Sequence, residues 1–284
     1  MKIFIILLFL FPGIVFSQQQ ERKVIIYNIG FGGLTSGIGA LINKKKEENW
    51  KRSFVRGFWQ GATGGLLNYS AKKSIYLVDR HKNFAYAIPA RLLNAAGNSM
   101  IQNAALNEPF LKNWNLEYGI FRFDFSIHSK NKFKVRILPV AVIGSAISMR
   151  SGRFDLNTTL LTGIMSFKSK GMINTLNGQH DGINYGRAFI YMERPEKYHI
   201  ISHEIIHEYQ YREYLVFNSY MKPVASKMKE SGFKKLFTKY IYPDIPYFAL
   251  FYMIEGSEQG PLIFRNYFEF EAERFATNKD VPIK

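Results

Sequence analysis

The spacing of apolar and polar residues divides the chain into three textures. From Val24 to Asn43 no charge interrupts a stretch rich in small residues: Gly30, Gly32, Gly33, Gly37, Gly39 and Ala40. Beyond the run Lys44-Lys45-Lys46-Glu47-Glu48, a second such stretch surrounds Gly57, Gly61, Ala62, Gly64 and Gly65. A third, Ala85 to Ala105, is again small and apolar, with Arg91 inside it. Small residues at helical spacing let helix backbones approach closely, so residues 18–112 are expected to form Gly-rich helices. The uncharged stretch is just long enough to span a bilayer, with the lysines beside it as an interfacial anchor, yet Asn28, Thr35 and Ser36 dilute its hydrophobicity. The glycines fit both a membrane-inserted or membrane-lying hairpin and the tightly packed helices of a soluble domain.

From Asn113 to about Met192 the pattern changes to alternation and to β-branched or aromatic runs. Strands are expected over Tyr118 to Ile127, Phe133 to Ile143, Phe154 to Phe167 and Arg187 to Met192. Connections such as Ser129-Lys130-Asn131-Lys132 and Ser151-Gly152 separate them, which predicts a small antiparallel sheet over 113–194. After Pro195 the period becomes helical. His199 to Tyr220 is the strongest helix; Pro223, Gly232, Pro243 and Pro246 break the next stretch into a helix and loops; and Arg265 to Thr277 reads as a last helix. The expected fold class is α+β: Gly-rich N-terminal helices, the small sheet, and a helical C-terminal half over 195–284. Residues 113–284 are taken as one domain.

The first residues add a compartment. Lys2, the apolar run Ile3 to Phe11 and the small-residue site Val15-Phe16-Ser17 read as a secretory signal over 1–17, with a retained membrane anchor as the alternative. The mature chain is then exported, to the periplasm, the cell envelope or the outside. With no cysteine it has neither a disulfide framework nor thiolate zinc ligands nor a lipoprotein anchor, so any metal must be held by His, Asp or Glu. The net charge of +16 points to anionic surfaces, a membrane or envelope polymer, unless the excess is spread evenly over a solvated surface. The chain carries no RNP-like or helix-turn-helix pattern, and no nucleic acid is expected.

The chemistry concentrates in His203-Glu204-Ile205-Ile206-His207. On a helix, residues four apart share a face, so the two imidazoles point at one ion, and Glu204 can take a proton from water bound there. In a chain with six histidines this string arises by chance about once in two hundred, and the alternative is an amphipathic helix with half-buried histidines. Such a site needs a third protein ligand and an open position. The later helix supplies three carboxylates among apolar residues, with Glu269 and Glu273 on one face and Glu271 pointing elsewhere.

These two blocks, His203 to His207 and Glu269-Phe270-Glu271-Ala272-Glu273-Arg274-Phe275-Ala276, resemble the gluzincin metallopeptidases of the CAAX prenyl endopeptidase and HtpX type. The second motif of that family reads Glu, any, any, Ala, Asp, often trailed by Phe-Ala. The resemblance implies a zincin-like helix, a Zn2+ cofactor held by His203, His207 and Glu269, catalysis by Glu204, and support of a ligand histidine by Glu273. Glu273 stands where the family has Asp, and neither the signal nor the β-rich middle is a feature of those multi-spanning proteases. The likeness covers the site and not the whole chain.

Two weaker features accompany the motif. His199 lies one turn before His203, too far for a shared ion with His207, and is expected to support or pack. The strand Arg187 to Met192 precedes the motif helix, either as an edge that pairs with a peptide or as an internal strand. The resulting expectation is an exported zinc metallopeptidase acting on a peptide or protein substrate. The rival is a non-catalytic, basic, membrane-associated envelope protein with a degenerate HExxH.

Overall fold

A computed structural model describes residues 19–127, 132–175, 178–227, 231–259 and 266–280; the expected signal, 1–17, lies outside the described residues. In chain order the elements are α1 (Gln19–Ile42), α2 (Trp50–Ser74), α3 (Tyr76–His81) and α4 (Ala87–Ala105). There follow β1 (Asn113–Tyr118), β2 (Phe121–Ser126), β3 (Phe133–Ile137), α5 (Pro139–Ser151), β4 (Arg153–Phe154), α6 (Leu156–Thr162), β5 (Met165–Ser169), β6 (Ile173–Thr175), β7 (Gly178–His180), β8 (Gly182–Asn184) and β9 (Ala188–Met192). The C-terminal part holds α7 (Lys197–Tyr214), a 3-10 stretch Leu215–Met221, α8 (Lys222–Lys227), α9 (Gly232–Tyr240), α10 (Tyr247–Gln259) and α11 (Tyr267–Thr277). The class is α+β.

Missing side chains set the contact between α1 and α2. A Cβ on Gly61 would overlap the Gly32 carbonyl oxygen, and one on Gly65 the Asn28 carbonyl oxygen. One turn on, Gly33 and Gly37 receive the Phe58 and Phe54 rings, whose nearest carbons would stand 2.9 and 2.8 Å from an added Cβ. Backbones this close leave room inside only for small and polar groups, and those pair with one another. Asn68 Nδ2 donates to Asn98 Oδ1 (3.2 Å), Asn94 Nδ2 to Asn68 Oδ1 (3.3 Å), and Ser36 Oγ to the Ile101 carbonyl (3.1 Å). Among the described residues one helix, Gln20–Ile42, is long and apolar enough to cross a membrane by length and composition, and half of its most apolar window is buried in the fold. By the same criteria it could be an anchor or part of a signal sequence.

The sheets are three: β1-β2-β3, antiparallel; β4-β5-β9-β8; and the pair β6-β7. The expected small antiparallel sheet is present in β1-β2-β3 and in the pair β6-β7, whereas β4-β5-β9-β8 is mixed and corrects it there, because β5 and β9 run parallel, from Met165↔Ala188 to Ser169↔Met192. The chain returns from β5 through β6, β7 and β8 before entering β9, so β9 lies inside the sheet and β8 at its edge. The hairpin from β8 to β9 is closed by the Tyr185 N–H donating to the Ala188 carbonyl (2.8 Å), with Gly186 and Arg187 at its two-residue tip at φ of 61° and 89°. This is the right-handed hairpin twist, an unfavourable backbone for arginine. Ion pairs of the buried Arg187 guanidinium with Glu117 and with Glu208 (3.3 Å) hold it there.

Two expected strands are corrected by local chemistry. The run Phe133 to Ile143 pairs only to Ile137; Pro139 has no N–H for a ladder and opens α5, whose Val140 N–H donates to the Asp244 carboxylate (3.2 Å). The run Phe154 to Phe167 is broken by α6. Asp155 caps that helix by accepting from the Thr158 N–H (3.2 Å) and hydroxyl (2.7 Å), and Gly163 closes it at φ 74°. β-branched threonines capped at both ends are helical here. Of the expected helix His199 to Tyr220, the α-helical part is Lys197–Tyr214.

In the first sheet the strand register places Trp114, Leu116, Tyr118, Phe121, Phe123, Phe125, Phe133, Val135 and Ile137 on one face. Five of them, Phe121, Phe125, Phe133, Val135 and Ile137, are exposed, whereas Glu117 and Arg122 of the other face are buried. The main core crosses the textural boundary at 112/113: Val24, Tyr69 and Ala71 pack in one cluster with Phe189, Ile201, Ile205, Phe270 and Phe275. The N-terminal helices and the motif helix thus share an interior.

Candidate metal centre

Helix α7 is buried almost throughout. Ile200, Ile201, Ile205, Ile206 and Tyr209 fill the core, which fixes the rotation of the helix and sends His203 and His207 to the side where α11 crosses it. Asn266 caps α11 by accepting from the Phe268 N–H (2.9 Å), and Phe268, Phe270 and Phe275 bury its apolar side, so Glu269 and Glu273 are turned toward α7. The contacts are close: His203 Nε2 to Glu269 Oε2 3.1 Å, His207 Nε2 to Glu269 Oε1 3.3 Å, and His203 Nε2 to His207 Nε2 3.0 Å. His203, His207 and Glu269 form a group that can hold a metal ion, with ligand atoms within 4.8 Å of one another.

The other nitrogen of each imidazole has its own partner. His203 Nδ1 lies 3.4 Å from Glu273 Oε2, and the same oxygen is 3.4 Å from His199 Nε2. His207 Nδ1 faces Gln210 Oε1 at 2.9 Å. The Gln210 amide donates to the Phe268 carbonyl (3.0 Å) and to Glu271 Oε2 (2.9 Å). Glu271 does face away from the histidines, as helical spacing requires, and it is fully buried. It accepts from Asn28 Nδ2 (2.7 Å) and pairs with Lys72 Nζ (2.9 Å), which also meets Glu213 (2.8 Å). A connected polar chain therefore runs from α1 and α2 through Glu271 and Gln210 to His207.

Glu204 lies beside edge strand β8. Asn184 Nδ2 donates to the Glu204 carbonyl (3.2 Å), and a Cβ on Gly182 would stand 2.8 Å from Glu204 Oε1. Glycine at 182 makes the space this carboxylate occupies. Glu204 Oε2 is buried with no hydrogen-bond partner among the described residues. Burial raises its pKa, the histidines oppose that rise, and Glu269 adds to it. For His203, burial works against the charged form, but hydrogen bonds with Glu269 and Glu273 prevail and hold it up to about 10. Burial of Glu269 is outweighed by the two histidines, which hold its carboxyl well below the usual range, and Glu273, against its own burial, is drawn down to about 2 by His199 and His203.

The structure brings His203, Glu204, His207, Glu269 and Glu273 together and puts His199 against Glu273. It adds two residues that sequence reasoning missed. Gln210 follows His207 at helical spacing, a signal that was present but indistinguishable from any polar residue on that helix. Tyr252, from α10, donates to Glu269 Oε1 (2.6 Å) with its ring 6.2 Å from that of His207. Nothing in the sequence separates it from the other 16 of the 17 tyrosines. The strand entered at Arg187, left open as edge or internal, is internal; the edge beside Glu204 is β8. Two clefts of about 310 and 460 Å³ lie elsewhere, and none of these residues lines either one. Compared with protein-family models, curated proteins and solved structures, the chain gives no match.

Proposed function

We propose that this protein is an exported zinc metallopeptidase that hydrolyses peptide bonds. The observation that carries the reading is the donor set. Two imidazole nitrogens and a carboxylate stand 3.0 to 3.3 Å apart, close to the ~3.3 Å edge of a tetrahedron with zinc bonds of about 2.0–2.1 Å. Their nitrogen and oxygen chemistry suits a catalytic zinc, and the likeness of these motifs to the CAAX prenyl endopeptidase and HtpX type agrees with it. When bound, zinc supplies a Lewis acid that polarises the scissile carbonyl and acidifies a water. The remaining steps fall to the side chains. Glu204, with one oxygen unpartnered, takes the proton of the attacking water and hands it to the leaving amine. Glu273 and Gln210 hold the two imidazoles with Nε2 toward the ion. Tyr252, whose hydroxyl donates to Glu269 Oε1 (2.6 Å), would turn that hydrogen bond to the developing oxyanion. An extended peptide would pair with the edge of β8, which has no further strand beside it among the described residues and passes Glu204 at Gly182.

The deciding experiment is metal analysis joined to peptide cleavage. One zinc per chain, lost in Glu269→Ala and kept in an inactive Glu204→Gln, is the expected result. A folded preparation that takes up no zinc would leave the non-catalytic envelope protein as the better reading. Zinc binding with cleavage of some other bond in a substrate screen would keep the site and replace the substrate.

A further inference from the structure

We infer that the turn between α1 and α2, with the exposed apolar residues rising from it on both helices, docks this protein onto a bilayer containing anionic lipid. The inner faces of the two helices are already complete: Phe54 and Phe58 seat on Gly37 and Gly33, and Gly61 meets the Gly32 backbone. Ile38 and Ile42 of the first helix and Trp50, Val55 and Trp59 of the second are nevertheless in the open, with Trp50 57% and Trp59 67% exposed. Trp59 meets Phe58 edge-on at 5.7 Å and Lys51 Nζ lies 5.6 Å from the Trp50 ring centroid, yet both indoles keep more than half of their surface in water. At a lipid headgroup layer their amphipathic rings are at home.

The charge around them is predominantly positive. Lys44, Lys45, Lys46, Lys51, Arg52 and Arg56 face Glu47 and Glu48, six positive against two negative, a local net of +4. Glu48 is occupied within the fold, accepting from the Lys45 N–H (3.0 Å) and Asn107 Nδ2 (2.5 Å). None of the six cations forms an ion pair with a carboxylate among the described residues. Arg56 hydrogen-bonds Asn107 Oδ1 and Lys51 lies over the Trp50 ring, but a cluster of lysines and arginines with no carboxylate in ion-pair contact, interleaved with exposed indoles and aliphatics, matches a surface with anionic headgroups over acyl chains. A soluble polyanion would use the cations and leave the apolar side chains unmatched. The attraction acts within a Debye length, about 10 Å at 0.1 M salt, so salt weakens it. This inference is independent of the peptidase reading.

Flotation of the folded chain with phosphatidylcholine vesicles, with and without phosphatidylserine, tests it. Binding should require phosphatidylserine, fall in high salt, and weaken by more than about tenfold both in Trp50→Ala/Trp59→Ala and in Lys44→Glu/Lys45→Glu/Lys46→Glu. Because these side chains are exposed, both variants should keep the circular dichroism spectrum of the unaltered chain. A check without substitutions uses brominated acyl chains, which should quench tryptophan emission of the unaltered protein on binding. The inference is overturned by equal binding to phosphatidylcholine alone, by variants that bind like the unaltered chain, by absence of quenching, or by retention on DNA or heparin with no affinity for vesicles.

Discussion

Gln210 gives His207 a neutral acceptor, whereas His203 has the carboxylate of Glu273. Either partner fixes the tautomer that leaves Nε2 free for an ion, and losing such a partner typically costs about 10- to 100-fold in metal affinity. Gln210→Leu and Glu273→Ala should each weaken zinc binding in that range in a competition titration with a chromophoric chelator, and Glu269→Ala should abolish stoichiometric binding. Glu204→Gln should keep the metal and lose about 10² to 10⁴ in turnover. Helical spacing alone makes Glu271 neutral for zinc. Its burial against Lys72 changes the expectation: removing one partner of a buried ion pair costs about 3–5 kcal/mol, so Glu271→Ala should lower the unfolding midpoint far more than Glu273→Ala does. Glu213 carries a pH signature. Burial pushes its carboxyl up to about 7, Lys72 opposes this and Glu271 adds to it. The folded chain therefore holds a proton that the unfolded chain has released, and this contribution to stability is present below the unfolded value near 4.5 and is lost as pH rises through 7. Glu213→Gln should flatten the fall in Tm across that window; an unchanged slope would assign it to another group. What was legible at this scale were the residues whose relation is set by one helix, His203 with Glu204 and His207, and Glu269 with Glu273. Gln210, Tyr252 and Lys72 were not legible, because their roles exist only where distant segments meet.

At the scale of elements, the two small-residue helices make a sharp comparison. A methyl at Gly65 would overlap the Asn28 carbonyl, while at Gly30, on the same pair of helices, nothing lies within 4 Å. Gly65→Ala is expected to cost on the order of 1–3 kcal/mol by overpacking. Gly30→Ala should gain up to about 1 kcal/mol from helix propensity. Denaturant melts of the two variants would show opposite shifts in midpoint; shifts of the same sign would mean that the helices pack in another register. The sequence shows that such helices exist but not which glycine faces the partner, since their i, i+4 rows overlap. The same limit explains the middle of the chain. Apolar alternation located β2 and β9, but in Phe133 to Ile143 and Phe154 to Phe167 the stronger information was Pro139, Asp155 and Gly163, single residues that start or stop a helix.

For the whole molecule, the candidate metal site ties α7 to α11, and α11 is tied to the N-terminal helices through Lys72, Asn28 and an ion pair of Arg274 with Glu21 (2.8 Å). An ion that binds only the folded arrangement stabilises all of it, by about 2.7 kcal/mol at a hundredfold excess over Kd. Zinc should therefore raise the Tm of the entire transition, and a chelator should lower it without splitting it in two. Lys72 also has a consequence in time. Its partners Glu213 and Glu271 lie 141 and 199 residues away along the chain, whereas α1 and α2 are joined by a short turn. Contacts close in sequence form early, and those that close long loops form late. The helix pair should thus assemble with its lysine still hydrated, and α11 should dock last, when that ammonium leaves water for two carboxylates. By the same logic α11 is the segment that opens first. In hydrogen exchange on the chelated protein, its amides should exchange ahead of those of α1 and α2, and zinc should bring the two rates together.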